Sequence, residues 1–238
     1  MTYHYVWLGW SSGFLLPWLA LYLTNPRLRP VMWRVSLATA VFALTEPIWV
    51  PVYWNPPSLI ELARRTGFDI ESFIFCFAIG GIGAALYNAL TNRYFVPVSA
   101  RERRGPMHRF HLAALWVPFV LFVPLYFFSW NPIYPAILCL VIGGIATAIC
   151  RPDLKARGLV GGAVFLGLYS LFMLGLVWLT PGYIAQVWNL PALSGVLIGG
   201  IPLEELLFGF GFGWYWAGVY EHFTWNTSTE ISVPSRPL

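Results

Sequence analysis

Four glutamates lie within or at the edge of apolar runs, where carboxyl groups are rare: Glu46, Glu71, Glu204 and Glu205. A charge at membrane depth costs about 2.5 kcal/mol or more, so such residues usually mark function. A carboxyl group in an apolar pocket favours its neutral form and can donate a proton and later remove one. Glu204 and Glu205 are adjacent and point about 100° apart on a helix. They cannot both fully face one cleft, so either one acts while the other orients it, or the two serve neighbouring partners. The sequence leaves open which of them is the acid.

A phenylalanine follows two of these acids by four residues, in the pairs Glu71/Phe75 and Glu204/Phe208. This spacing predicts that carboxyl and ring share one helical face. An aromatic face there would stabilise a cation formed by protonation. The alternative is a carboxylate favoured by the helix N-terminus, next to an ordinary core phenylalanine.

An internal repeat links the two halves of the chain. Residues 70–75 align with 203–208 at an offset of 133, and Tyr87 falls on Tyr220 at the same offset. Trp54 and the following asparagine match Trp188 and its asparagine at an offset of 134. The repeat predicts two parallel three-helix units related by an axis along the membrane normal. We expect its aromatic residues to contact the ligand: Trp54, Phe75, Trp188, Phe208 and Tyr220.

The elements that position these residues are transmembrane helices. Of 238 residues, 58% are hydrophobic and 10% charged, against roughly 45–50% and 25% in soluble domains. This composition excludes a soluble globular domain and a disordered chain. Seven segments approach the roughly 20 residues that a span needs: Tyr3–Leu23, Val31–Val50, Ile70–Leu90, Phe110–Phe128, Pro132–Cys150, Leu159–Leu179 and Pro202–Tyr220. The run Leu190–Ile201 is too short and is expected to be interfacial or re-entrant.

The predicted fold is therefore an all-α polytopic membrane protein of about seven transmembrane helices. Two parallel three-helix repeats are joined by a linking helix. The expected divisions are a first repeat over 1–92, a linker with the fourth helix over 93–131, a second repeat over 132–222 and a tail over 223–238.

The basic residues predict the orientation in the membrane. Twelve of the fourteen lie on one side: Arg27, Arg29, Arg34, Arg93, Arg101, Arg103, Arg104, Arg109, Arg151, Lys155, Arg157 and Arg236. Only Arg64 and Arg65 lie on the other. The positive-inside rule then predicts an outside amino terminus and a cytoplasmic carboxyl terminus, in the cell membrane. The net charge of +4 lies in loops, and no nucleic-acid partner is expected.

No cofactor is indicated by the motifs. The chain lacks a GxGxxG fingerprint and an Asp-rich motif for Mg²⁺ and diphosphate. Its single lysine, Lys155, is placed in a loop, which excludes a buried Schiff base. His108 and His111 are three residues apart, but no membrane-embedded partner ligand is evident. They are interpreted as juxtamembrane polar residues, and no metal site is predicted.

The residues Pro202-Leu203-Glu204-Glu205-Leu206-Leu207-Phe208 form a motif at the start of the last predicted span. This motif is similar to the PxE(E/D)xxF signature of the integral-membrane lycopene cyclases, whose members have two three-helix domains, as separate subunits or fused through an extra helix. An acid in the second helix ahead of a tryptophan is also family-like, matched by Glu46 and Trp54. The first-half motif departs from the signature, with Asp69 in place of the proline and Ser72 in place of the second acid.

The resemblance implies a lycopene cyclase, an isomerase that closes the ψ-end group of an acyclic carotenoid by acid catalysis without redox change. The implied roles are proton donation by Glu204 or Glu205, with Glu71 and Glu46 shaping or completing the site. The partners would be a lipophilic carotenoid and the bilayer. Two alternatives stay open: a small proton-coupled transporter, or a non-catalytic membrane partner in a carotenoid pathway. The ring type, the carotenoid length, the number of ends cyclised and a homo-oligomeric state are not indicated.

Overall fold

The chain is an all-α polytopic membrane protein, as predicted. The computed structural model describes residues 3–59 and 62–230, so Arg236 of the predicted tail lies outside the described residues. Among these, six helices are long and apolar enough to cross a membrane: α1 (Val6–Thr24), α2 (Pro26–Trp49), α3 (Ile70–Leu90), α4 (Pro106–Tyr126), α5 (Ile133–Cys150) and α6 (Pro152–Leu179). The seventh predicted span forms α7 (Leu203–Thr224). It is 22 residues long, but its acidic residues make it less apolar than the other six.

Several helices are composite. α1 consists of Val6–Gly13 and Leu15–Thr24, and α2 of a 3₁₀ turn Pro26–Leu28, the helix Arg29–Ala40, a 3₁₀ stretch Val41–Thr45 and the helix Glu46–Trp49. α4 and α6 open with the 3₁₀ turns Pro106–Phe110 and Pro152–Leu154, followed by helices His111–Tyr126 and Lys155–Leu179. Short helical turns occur at Ala63–Thr66, Ala100–Arg103, Tyr183–Val187 and Leu190–Ala192. The strands are β1 (Arg93–Pro97), β2 (Leu197–Ile198), β3 (Ile201–Pro202) and β4 (Asn226–Glu230).

α7 lies at the centre of the bundle and packs on α6, α5 and α3. Small residues allow this close approach, as in other membrane helix pairs. A Cβ atom added at Gly213 would lie 2.5 Å from the Cβ of Phe165 on α6. One added at Gly161 would overlap the side chain of Ala217 on α7. The acids at the start of α7 are thereby held on a closely packed helix.

Contacts between loops define the two faces of the bundle. On one face β1 pairs antiparallel with β4, placing Arg93 opposite Glu230. On the other face the Tyr3 hydroxyl donates to the carbonyl oxygen of Pro181 at 2.8 Å. A single antiparallel bridge joins Trp54 and Trp188 there. The helix ends thus alternate between the two faces, as a polytopic chain requires.

Two charged residues are placed differently from the sequence expectation. Arg157, expected in a loop, lies in α6 and is buried, and Glu221 near the end of α7 is fully buried. The two form an ion pair. The Arg157 guanidinium also donates to Asn88 Oδ1 at 2.8 Å and to the Ala217 carbonyl oxygen at 2.6 Å. Burial is tolerated because each charge is compensated by a partner, which the sequence alone does not show.

The run before α7 is too short to span, as expected, and folds into a small hairpin. β2 pairs with β3 through Gly199 and Gly200, whose φ angles are +61° and +84°. Glycine adopts such angles at low cost. The Leu203 backbone N–H then donates to the Val196 carbonyl oxygen at 2.9 Å. This return brings loop backbone close to the first turn of α7.

Candidate active site

A cavity of about 350 Å³ lies between the two halves of the bundle. This volume falls at the lower end of the range for ligand pockets, about 300–1,000 Å³. Its lining is mainly aromatic and aliphatic, and it includes two carboxylic acids, Glu46 from α2 and Glu205 from α7. Both acids are buried. The cavity therefore offers an apolar molecule two ionisable groups in a largely apolar surrounding.

Glu205 is held by three donors. Its Oε1 accepts a hydrogen bond from Trp188 Nε1 at 2.7 Å and a second from the Tyr53 hydroxyl. Its Oε2 accepts from the Tyr169 hydroxyl at 2.5 Å. Burial raises the pKa of Tyr53 well above its usual value, and the nearby Glu205 raises it further. Tyr53 therefore keeps its proton and fixes the direction of the carboxyl group.

Glu46 follows an irregular part of α2. The 3₁₀ stretch Val41–Thr45 ends immediately before it, and Pro47 comes next. Proline cannot continue the helical hydrogen bonding, because it lacks an N–H. Glu46 Oε2 accepts from the backbone N–H of Asp69 at 2.5 Å, and Oε1 from the Ser72 hydroxyl at 2.9 Å. The start of α3 thus holds the acid that α2 provides.

The two acids have similar hydrogen-bonding patterns. One oxygen of each accepts from an N–H group, which can only donate. The other oxygen faces a hydroxyl, from Ser72 at Glu46 and from Tyr169 at Glu205. A hydroxyl donates or accepts, so it can turn to accept from a protonated carboxyl group. Each acid can therefore hold or release a proton without losing its fixed position.

The other two predicted acids are not among the residues that line the cavity. Glu204 Oε1 accepts from the Tyr134 hydroxyl and the Ser194 backbone N–H, both at 2.8 Å. Glu71 Oε1 accepts from the Leu59 backbone N–H at 2.8 Å. Side chains in a first helical turn tilt toward the N-terminus, so both reach the loop ahead of their helix. Glu71 and Glu204 thereby attach these loops to α3 and α7.

Four of the five predicted aromatic residues line the cavity: Trp54, Phe75, Trp188 and Phe208. The rings of Phe75 and Phe208 face the cavity, while the acids four residues earlier do not. Tyr220 is not among the lining residues. Its ring packs edge-on against Phe95 with centroids 5.1 Å apart. It lies fifteen residues after Glu205 on α7, or about 22 Å along the helix.

Sequence reasoning missed the residues that hold the acids. The only sequence feature that could have indicated Tyr53 is its position directly before Trp54, the repeated tryptophan. Tyr169 lies inside the apolar run of α6 without any motif. Ser72 was noted as the replacement for a second acid, and its contact with Glu46 was not foreseen.

The fold and the site define a class: a polytopic membrane protein whose apolar cavity carries acids suited to proton transfer. Residues 131–223 match the family model described as lycopene cyclase. The predicted resemblance to that family is thereby confirmed through the second half of the chain. It supports carotenoid cyclisation as the kind of activity. No curated protein and no solved structure matches the chain.

Proposed function

We propose that the protein closes the ψ-end group of lycopene or a related acyclic carotenoid into a six-membered ring. The observation that carries this proposal is the Glu205 carboxyl group, held by Tyr53, Tyr169 and Trp188 inside an aromatic cavity. An apolar polyene fits this lining better than a polar solute. The reaction needs a proton donor and a proton acceptor, which the cavity provides.

The chemistry is an isomerisation. An acid adds a proton to C2 of the terminal double bond and leaves a tertiary cation at C1. The C5=C6 bond attacks C1, so the C1–C6 bond forms and the cation moves to C5. Loss of the proton at C6 restores the C5=C6 bond and gives a β-ring. One proton enters and one leaves, without any electron transfer.

We assign the first proton to Glu205 and the completing role to Glu46. Aromatic faces stabilise the intermediate cation by their negative quadrupole. The ring of Phe208 lines the cavity three residues after Glu205 on the same helix, with its centroid 5.9 Å from that of Tyr169 in an edge-on contact. Glu204 and Glu71 act indirectly in this scheme, because they hold the loops that close the cavity.

The substrate reaches the cavity from the lipid. Phe42 lines the cavity and is also 40% exposed on the outer surface of the bundle. The neighbouring Phe119 of α4 stacks on it, with ring centroids 6.0 Å apart. An elongated hydrocarbon can place one end between α2 and α4 while its remainder stays in the bilayer.

The activity is tested by producing the chain in cells that accumulate lycopene and separating the extracted pigments by chromatography. We expect cyclised carotenoid of unchanged mass. When ring closure takes place in D₂O, each ring should gain one deuterium. The proton that enters at C2 exchanges with solvent beforehand, whereas the proton that leaves comes from C6 of the substrate. A Glu205→Gln variant at matched protein level is the control. Unchanged lycopene with the intact protein in the membrane would contradict the proposal and favour a non-catalytic partner.

Ring closure is proposed to need no nicotinamide, flavin or metal in the cavity, since the reaction is redox-neutral. Isolated membranes should therefore cyclise lycopene without such additions. The proposed orientation keeps the amino terminus outside and the carboxyl terminus in the cytoplasm. A periplasmic reporter and a cytoplasmic reporter, each fused at either end, test this directly. A cytoplasmic amino terminus would contradict the orientation.

A further inference from the structure

Two histidines and a cysteine converge at the face opposite the acid cavity. His108 lies in the 3₁₀ turn that opens α4, His111 begins the regular part of α4, and Cys150 is the last residue of α5. Their ligand atoms all lie within 4.8 Å of one another. His111 and Cys150 are buried, and His108 is half-buried.

The two sulfur-to-nitrogen distances match those of a metal centre. Cys150 Sγ lies 3.4 Å from His111 Nδ1 and 3.7 Å from His108 Nδ1. A tetrahedral zinc ion with usual bond lengths holds sulfur and nitrogen about 3.5 Å apart. A thiol has one proton and can donate to only one of the two rings. A cation shared by all three groups uses both nitrogens and the sulfur together.

The surroundings favour a fixed geometry. The Trp225 indole stacks on the His111 ring at 3.8 Å, and the His222 ring lies edge-on at 4.7 Å. The nearby Arg151 guanidinium forms an ion pair with Asp153 at 2.7 Å. The positive charge of Arg151 is therefore compensated, which reduces its repulsion of a cation.

This cluster is distinct from the acid cavity. On α5 the cavity lining extends to Leu140, and Cys150 lies ten residues further on, about 15 Å along the helix. On α4 the lining begins at Pro118, seven residues or about 10 Å after His111. A cation bound here cannot touch a molecule in the cavity, so its role is structural.

We propose that His108, His111 and Cys150 bind one zinc-type divalent cation that joins the start of α4 to the end of α5. Thiolate and imidazole are the ligands that select such borderline-soft metals. Binding requires the Cys150 thiol to lose its proton to solvent, while both imidazoles bind in their neutral form. With three protein ligands, water takes the fourth position of a tetrahedral site.

The test is the metal content of the full chain, purified in detergent without chelator and with an affinity tag that contains no histidine. After incubation with Zn²⁺ and gel filtration, mass spectrometry should find about one zinc per chain. Replacement by Co²⁺ should give the thiolate-to-cobalt absorption band in the near ultraviolet. A chain that binds no zinc and gives no such band overturns the proposal.

Variants locate the site. Cys150→Ser should weaken zinc binding by at least about ten-fold and remove the cobalt band. The matched control is Cys139→Ser, a buried cysteine on the same helix outside the cluster, which should keep both. His108→Gln is the second variant, since the half-buried ring can be replaced if Cys150→Ser does not fold. Equal zinc content in Cys150→Ser, His108→Gln and the unchanged protein refutes the site.

Discussion

Asn55 and Asn189 make reciprocal backbone hydrogen bonds between the two halves of the chain. The Asn55 N–H donates to the Val187 carbonyl oxygen at 2.8 Å, and the Asn189 N–H donates to the Tyr53 carbonyl oxygen at 2.9 Å. Each donor and each acceptor is separated from its counterpart by 134 positions, the offset of the sequence repeat. Such an exchange is what a two-fold axis between the halves would give. It supports the predicted repeat at the point where Trp54 and Trp188 enter the cavity.

The first prediction distinguishes the adjacent acids of α7. Glu205→Gln should reduce ring formation by about 10²–10⁴-fold, the usual contribution of general acid–base catalysis. The substitution keeps the size of the side chain and removes its titrating proton. Glu204→Gln is the matched control and should cost much less, because its carboxyl group holds Ser194 outside the cavity. The measurement is the yield of cyclised pigment from cells that contain equal amounts of each variant. A larger loss of ring formation in Glu204→Gln than in Glu205→Gln would make Glu204 the proton donor instead.

The second prediction concerns the acid of the first half. Glu46→Gln should lower ring formation by roughly 10²-fold or more, because the cavity loses its second proton-transferring group. Glu71→Gln, which alters an acid bonded to a loop N–H, is the control and should retain most activity. Cyclised and uncyclised carotenoid are measured in the same cells. Normal activity of Glu46→Gln would leave Glu46 with a structural role only.

The third prediction tests stabilisation of the cation by an aromatic ring. Phe208→Leu keeps an apolar side chain of similar bulk but loses about 0.5–2 kcal/mol of cation–π stabilisation, which corresponds to a rate about 2- to 30-fold lower. Phe210→Leu changes a ring of α7 that packs near Gly162 on α6 and should have little effect on the rate. Initial rates in isolated membranes provide the comparison. Equal rates for both variants would contradict a role for the Phe208 ring.

The fourth prediction concerns the buried ion pair of α6 and α7. Arg157→Met leaves the Glu221 carboxylate without its partner and should lower the free energy of unfolding by about 3–5 kcal/mol. The double variant with Glu221→Gln should recover part of this loss. Lys155→Met, at the exposed start of the same helix, is the control. The difference in stability between the variants is measured by thermal unfolding in detergent, with gel filtration used to monitor the loss of folded protein. An Arg157→Met protein as stable as the control would refute the argument.

Composition and length predicted the helices well, because only apolar runs of that length can cross lipid. They misplaced Arg157, since its partner Glu221 is 64 residues away in sequence and no local pattern reports such a pairing. Helical geometry predicted that one of Glu204 and Glu205 would face the cleft. Which one does so depends on how α7 packs against its neighbours, with Glu205 bonded to Tyr169 on α6 and Glu204 to the loop at Ser194. This packing cannot be read from the sequence.

The hydrogen-bond partners of the acids could not be predicted from the sequence either. Tyr169 lies in an apolar run in which every position is compatible with lipid contact. Its hydroxyl meets Glu205 only after α6 packs on α7 through small residues. The spacing of His108 and His111 is visible in sequence, but Cys150 is brought to them by the antiparallel return of α5.

The cavity belongs to neither half by itself. Glu46 and Ser72 come from one side of the linking helix, and Tyr169 and Glu205 from the other. A polypeptide cut between β1 and α4 would yield two fragments, each with acids but without an enclosing wall. Only their reassembly, through the reciprocal backbone bonds at Asn55 and Asn189, would restore the enclosed cavity. Loss or duplication of one half would therefore abolish the cavity as a whole instead of leaving a smaller one.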